Sequence, residues 1–162
     1  MGNLNLLYIG VIEMDLDKQI DMLVCTDNKK AYNALKELLV ISEQSNALYS
    51  YFDIFVEMMN NQNNSYIRTR GLRLIAYNSK WDINNQVNSI IEKWLKHIED
   101  EKPITARQCI KDTVIIAKNK PELIDIILEK LSKINRIYDD SMQSLIYKDR
   151  QKVIRQIKQL TW

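Results

Sequence analysis

Glycine, proline and cysteine are scarce in this chain of 162 residues, which contains three, two and two of them. Because glycine and proline form most tight turns, their scarcity argues against a β-sandwich or a β-barrel. Three scattered glycines also cannot build a P-loop, a dinucleotide-binding loop or a nucleophile elbow. The single histidine, His97, and the two cysteines show no metal-ligand spacing. The sequence therefore predicts no catalytic residue, no cofactor and no metal site, and it favours a protein that is not an enzyme.

Long apolar runs are lacking too. No stretch approaches the roughly 18 consecutive apolar residues that cross a bilayer. Residues 1–12 are apolar but lack the charged start and the small-residue cleavage site of a signal peptide. Cys25 and Cys109 lie in apolar helical patterns, which predicts two buried free thiols. We therefore expect a cytoplasmic protein without a membrane partner.

Apolar residues instead recur at intervals of three and four, which is the spacing of amphipathic helices. Leucine, isoleucine, lysine, glutamate and glutamine dominate the composition, and long stretches contain no helix breaker. These features predict an all-α fold, and the length suits one domain over residues 1–162. The apolar stripes divide it into an N-terminal cap at 1–14 and four helical hairpins, at about 15–45, 46–80, 83–120 and 121–160.

A segment of similar pattern recurs about every 37 residues, at 30–38, 67–75 and 106–114. This period is typical of stacked helical hairpins, in which each hairpin buries its apolar stripe against its neighbours. The terminal hairpins of such a stack are expected to deviate from the pattern, and the fourth hairpin matches it poorly.

The recurring segment resembles the second helix of a HEAT repeat: an aliphatic or small residue, an arginine, a small residue and a further aliphatic one. Ile67-Arg68 with Gly71 and Ile75 matches this pattern, and Ala106-Arg107 with Ile110 and Val114 matches it with a larger residue at the small position. The first copy keeps the apolar frame without the arginine. The resemblance to the ARM/HEAT superfamily implies a right-handed α–α superhelix whose second helices line the concave side. It also implies a structural role for Arg68 and Arg107.

The chain is also similar to short bacterial HEAT-like proteins that are sometimes labelled as iron–sulfur assembly (SufBD-type) proteins. Two cysteines in separate helices supply no set of thiolate ligands for an iron–sulfur cluster. We therefore attach no iron–sulfur function to this likeness.

Charge is divided unevenly between the two helices of each hairpin. The second helices and their flanks hold 17 of the 23 basic residues but only 4 of the 21 acidic ones, counted over 28–46, 64–80, 102–120 and 141–160. If the second helices line a concave side, that side is a basic groove behind an acidic outer face. Such a groove concentrates anionic partners.

The predicted ligand-binding residues are therefore basic residues of the second helices: Arg70, Arg73, Lys111, Lys118, Lys148 and Arg155. Tyr66, Tyr77 and Trp81 bracket the helix that carries the first two, and Tyr77 and Trp81 are candidates for stacking on bases.

Three functions fit these patterns. The favoured one is a scaffold or binding module for a protein partner with an acidic surface. The first alternative is nucleic-acid binding through phosphates. The second is a DNA glycosylase, because the resemblance extends to HEAT-like glycosylases with a basic concave face, in which Trp81 and Asp82 would act. Self-association of the basic groove with the acidic outer face is a further expectation.

Overall fold

The computed structural model describes residues 16–161, apart from the side chain of Asp140, and the predicted cap at 1–14 lies outside this range. Within it the chain forms eight α-helices and no strand, which confirms the all-α prediction. The helices are α1 (16–22), α2 (Asn28–Gln44), α3 (Phe52–Met59), α4 (Ser65–Asn78), α5 (Gln86–Leu95), α6 (Pro103–Asn119), α7 (Ile124–Ser132) and α8 (Asp140–Gln159). None of these described helices is both long and apolar enough to cross a membrane.

The second helices start at a nearly constant interval. α2, α4, α6 and α8 begin at residues 28, 65, 103 and 140, so the spacing is 37, 38 and 37 residues. They also follow one another in space, because α4 packs against both α2 and α6, and α6 packs against α8. This order is the one expected of stacked hairpins. The handedness of the stack and its superhelical twist stay predictions.

The starts of the second helices are fixed by local chemistry. The side chain of Asp27 caps α2 by accepting from the backbone N–H groups of Lys29 and Lys30 at 3.1 Å each. Asn64 caps α4 in the same way. Pro103 occupies the first turn of α6, where its missing N–H costs nothing.

The first helices are shorter than the sequence pattern predicts. The predicted hairpins at about 46–80, 83–120 and 121–160 each have a 3₁₀ turn next to the first helix: Tyr49–Tyr51 before α3, Lys96–Glu99 after α5 and Pro121–Leu123 before α7. A further 3₁₀ turn, Ser79–Trp81, follows α4. A 3₁₀ turn keeps apolar residues close to helical spacing, so periodicity alone cannot distinguish it from a continued helix.

The core lies between the first and second helices. Phe55 of α3, Leu72 of α4, Trp94 of α5 and Ile110 of α6 are all fully buried. The indole Nε1–H of Trp94 donates to the carbonyl oxygen of Leu72 at 2.9 Å, so this buried polar atom is satisfied. Cys109 is buried as predicted, whereas Cys25 is only half-buried because it follows the end of α1.

Candidate binding groove

The second helices enclose a cavity of 580 Å³ near their N-terminal ends, which we call the groove. This volume falls in the range of ligand-binding pockets in proteins. Most of its walls come from the first two turns of α2, α4 and α6, and α8 contributes one residue. The fourteen lining residues are Asn28, Tyr32, Leu35, Ser65, Tyr66, Thr69, Arg70, Arg73, Lys102, Pro103, Ile104, Thr105, Gln108 and Met142.

The charged residues that line the groove are all positive. Arg70, Arg73 and Lys102 are the cations, and no carboxylate is among the lining residues whose side chains the structure describes. Lys102 is exposed at the start of α6. A concave surface with one sign of charge focuses the electric field and attracts ligands of the opposite sign.

Large apolar side chains surround the mouth of the groove. Tyr32, Tyr66 and Ile104 are each more than half exposed, although such side chains are costly to leave in water. The ring of Tyr66 lies 6.0 Å from the guanidinium carbon of Arg70, and the ring of Tyr32 lies 5.0 Å from the ammonium nitrogen of Lys36. These cation–π contacts hold both rings beside positive charge.

Two threonine hydroxyls, one from α4 and one from α6, contact each other in the lining of the groove. The Oγ1 atoms of Thr69 and Thr105 are 2.7 Å apart, and Oγ1 of Thr69 is 2.7 Å from the carbonyl oxygen of Ser65. A hydroxyl has one proton, and a carbonyl can only accept. Thr69 therefore donates to Ser65 and accepts from Thr105. This chain of hydrogen bonds ties α4 to α6 in the groove.

The two arginines predicted to bind ligand are largely engaged by the protein itself. Arg70 is only 4% exposed, and its Nη1 and Nη2 donate to the carbonyl oxygen of Leu23 at 2.8 Å and to Oδ1 of Asn28 at 3.1 Å. Burial lowers the pKa of Arg70. The Nε of Arg73 donates to Oδ2 of Asp112 at 3.2 Å. Arg70 is thus buried and links α4 to Leu23, before α2, and to Asn28, at its start. The prediction that Arg70 faces a ligand is therefore wrong.

Arg68 and Arg107, predicted from the resemblance to be structural, lie in ion pairs with later segments. The guanidinium of Arg68 donates twice to buried Asp100, at 2.8 and 2.7 Å. The Nε of Arg107 donates to Asp149 of α8 at 2.7 Å. Each arginine therefore joins its helix to the next hairpin.

The other predicted cations stand outside the groove. Lys111 and Lys118 are exposed on α6, and Lys148 and Arg155 are exposed on α8. These four described residues do not line the cavity, whereas Arg70 and Arg73 do. The six predicted ligand-binding residues therefore do not form one site.

Trp81 and Asp82 are held in structural contacts. The indole Nε1–H of Trp81 donates to the carbonyl oxygen of Ser42 at 2.6 Å, across the gap between two hairpins. Oδ1 of Asp82 accepts from the hydroxyl of Tyr49 at 2.6 Å and from the backbone N–H of Gln86 at 2.8 Å. Its Oδ2 accepts from the backbone N–H of Val87 at 2.8 Å and lies 3.3 Å from Nζ of Lys120.

Both carboxylate oxygens of Asp82 are therefore occupied by α5 and its neighbours, which does not support the glycosylase alternative. The other stacking candidate, Tyr77, is half-buried, and its ring lies 5.5 Å from the guanidinium carbon of Arg73. Neither aromatic candidate lines the groove among the residues described.

Sequence reasoning missed Tyr32, Lys102, Ile104 and Asp112 as residues of this region. A signal for two of them, Tyr32 and Ile104, was present. Tyr32 and Ile104 lie within five residues of the starts of α2 and α6, as Tyr66 does in α4, so an alignment of the repeats brings them to one end. Asp112 carried no signal, because its pairing with Arg73 depends on how α4 and α6 pack.

Comparisons of this chain with protein-family models, with curated proteins and with solved structures gave no match. Within residues 16–161, no group of three or more histidine, cysteine, aspartate and glutamate side chains is placed to hold a metal ion.

Proposed function

We propose that this protein is a binding module that holds an acidic segment of a partner protein in the groove. The observation that carries the proposal is the lining itself, which combines exposed Lys102 and partly exposed Arg73 with exposed Tyr32, Tyr66 and Ile104 and includes no described carboxylate. The order of the second helices supports a HEAT-like scaffold for this site.

A protein segment fits the groove better than a phosphate backbone does. Phosphate binding requires several cations that are open to the ligand. In the groove, Arg70 is buried and Arg73 already pairs with Asp112, so Lys102 is the exposed cation. Exposed aromatic and aliphatic side chains around a pocket are instead the usual energetic centre of a protein–protein interface. We therefore expect a ligand that has both carboxylates and apolar anchors.

The proposal is tested with a fluorescein-labelled peptide that alternates glutamate and phenylalanine, and a second peptide in which glutamine replaces glutamate. Fluorescence anisotropy should show binding of the first peptide and weaker binding of the second. Tyr66→Ala and Ile104→Asp should each weaken binding at least tenfold, which is the effect of removing an interface anchor. Lys102→Glu should weaken binding of the glutamate peptide more than binding of the glutamine peptide.

Two control variants match these changes outside the groove. Ile137→Asp places the same acid at a residue that is 84% exposed, compared with 72% for Ile104. Lys93→Glu reverses an exposed charge on α5. Both controls should leave the affinity within twofold. Equal losses in the control and groove variants, or equal binding of the two peptides, would contradict the proposed site.

Nucleic-acid binding remains a second candidate because Lys111, Lys118, Lys148 and Arg155 are all exposed on α6 and α8. If these residues contact phosphates, the affinity for labelled single-stranded DNA should fall steeply between about 50 and 200 mM salt. Lys148→Glu with Arg155→Glu should then abolish DNA binding and leave peptide binding unchanged. DNA binding that is absent at the lowest salt, or that survives this double change, would exclude α8 as a phosphate-binding surface.

A further inference from the structure

Arg73 connects the groove to a buried carboxylate. Its side chain lines the groove and is partly exposed, while its Nε donates to Oδ2 of Asp112 at 3.2 Å. Asp112 itself is buried in α6, and its Oδ1 accepts from Nε2 of Gln108 at 3.1 Å. Because Gln108 also lines the groove, both of these hydrogen-bond partners of the carboxylate are groove residues, whereas Asp112 is not.

The surroundings of Asp112 make its carboxyl group easier to protonate than an ordinary aspartate. Burial raises its pKa to about 6, and the opposing effects of Arg73, Gln108 and Lys111 do not cancel that rise. Tyr77 and Cys109 are the other titratable side chains with which it interacts. Several charged groups around α6 are paired with other residues: Asp149 with Arg107, Asp100 with Arg68 and His97, and Glu122 with Lys120, while Lys80 donates to the carbonyl oxygen of Glu43. Lys148 and Arg155 of α8, which also packs against α6, are exposed.

We propose that Arg73 binds a carboxylate of the ligand, and that Asp112 takes up one proton when it does so. This inference rests on the proposed function, because it assumes that the ligand of the groove is acidic. It assigns Arg73 as the residue that recognises the carboxylate and Asp112 as the residue that competes with the ligand for it.

The coupling follows from placing two carboxylates beside one guanidinium. A ligand carboxylate at Arg73 brings a second negative charge close to Asp112, and a nearby like charge makes ionisation less favourable. The charges balance as follows: the anionic ligand enters, one proton passes from solvent to the Asp112 carboxylate, and Arg73 keeps its positive charge. The proton thus offsets the charge of the one carboxylate that Arg73 binds, in each complex in which Asp112 is protonated.

Proton uptake makes the affinity depend on pH. If the ligand raises the pKa of Asp112 from about 6 to about 7, binding should be about fivefold tighter at pH 6 than at pH 8. Asp112→Asn imitates the protonated side chain and keeps its shape. This variant should bind more tightly than the natural protein at pH 8 and should show almost no change between pH 6 and pH 8.

The test is isothermal titration calorimetry of the intact protein with the glutamate–phenylalanine peptide, in buffers that have different heats of ionisation. The slope of the binding heat against the buffer heat counts the protons taken up, and this measurement needs no variant. We expect uptake of a fraction of a proton at pH 7 in the natural protein. The slope should be near zero in Asp112→Asn, whose folding is checked by circular dichroism.

The possible results separate this inference from the proposed function. Peptide binding without proton uptake, or with the same uptake in Asp112→Asn, would overturn the coupling and leave the groove as a binding site. Absence of peptide binding at every pH would overturn the proposed function, and the inference with it. Unchanged affinity in Arg73→Gln would overturn the role of Arg73.

Discussion

Asp100→Asn is expected to lower the free energy of unfolding by about 3–5 kcal/mol, the usual cost of removing one partner of a buried ion pair. The carboxylate of Asp100 is almost fully buried and accepts two hydrogen bonds from Arg68, at 2.8 and 2.7 Å. It also pairs with Nδ1 of His97 at 2.8 Å and accepts from the backbone N–H of Lys102 at 2.9 Å. Without it the buried guanidinium of Arg68 loses its negatively charged partner and keeps the hydrogen bond from Nη1 to the carbonyl oxygen of Asn61 at 3.0 Å. Urea denaturation at pH 7 measures the loss.

The lowered pKa of Asp100 determines how the loss of stability in Asp100→Asn depends on pH. Burial by itself would raise the pKa of Asp100, but the hydrogen bonds from His97, Arg68 and Lys102 outweigh burial and hold the pKa well below its ordinary value. A depressed pKa in the folded state stabilises the protein above the pKa of the unfolded chain, near 4, and this contribution disappears as the pH falls further. The difference between Asp100→Asn and the natural protein should therefore be full at pH 7 and shrink below about pH 4.

Asp125→Asn is the matched control, because Asp125 is exposed on α7. Its effect should stay within about 0.5 kcal/mol, as for most surface substitutions. An equal effect of the two variants would show that the buried contacts of Asp100 contribute nothing specific to stability.

Gly71→Ala is expected to destabilise the protein by about 2–3 kcal/mol, although alanine is the better helix former by about 1 kcal/mol. A Cβ atom at this position of α4 would lie 2.6 Å from the carbonyl oxygen of Phe55, 2.7 Å from Cβ of Met58 and 2.8 Å from the backbone nitrogen of Met59. These atoms belong to the backbone or first side-chain carbon of α3, so no side-chain rotation can relieve the contacts. The two helices would have to move apart.

Thermal unfolding followed by circular dichroism measures this effect, and a fall in the midpoint of about 5–10 °C is expected. Asn33→Ala serves as the control, because it introduces alanine at an exposed position of α2. It should leave the midpoint unchanged or raise it slightly. A Gly71→Ala variant as stable as the natural protein would mean that α3 and α4 can separate without cost.

The candidate site was predictable only in part. Sequence identified the second helices as the basic ones, and α4 as a helix with several arginines and no acid. The HEAT resemblance also implied a structural role for Arg68, and in the structure Arg68 pairs with buried Asp100. The error lay in treating Arg70, which is buried, as open to a ligand, and in leaving out that Arg73, which is partly exposed in the groove, already pairs with Asp112. Their partners, Leu23 and Asp112, are 47 and 39 residues away, and a count of charges along one helix does not include them.

What the sequence determined by itself is therefore the local structure: the scarcity of glycine and proline, the spacing of apolar residues and the interval of about 37 residues specify helices and the starts of the second helices. These features act between residues a few positions apart, through backbone hydrogen bonds, capping and the burial of one helix face. Only the tertiary structure decided which charges remain exposed. A cation is open to a ligand, or is neutralised, according to the groups that neighbouring helices bring to it, and those groups are distant in the chain. The groove, its paired arginines and the buried Asp112 exist because α2, α4, α6 and α8 pack side by side.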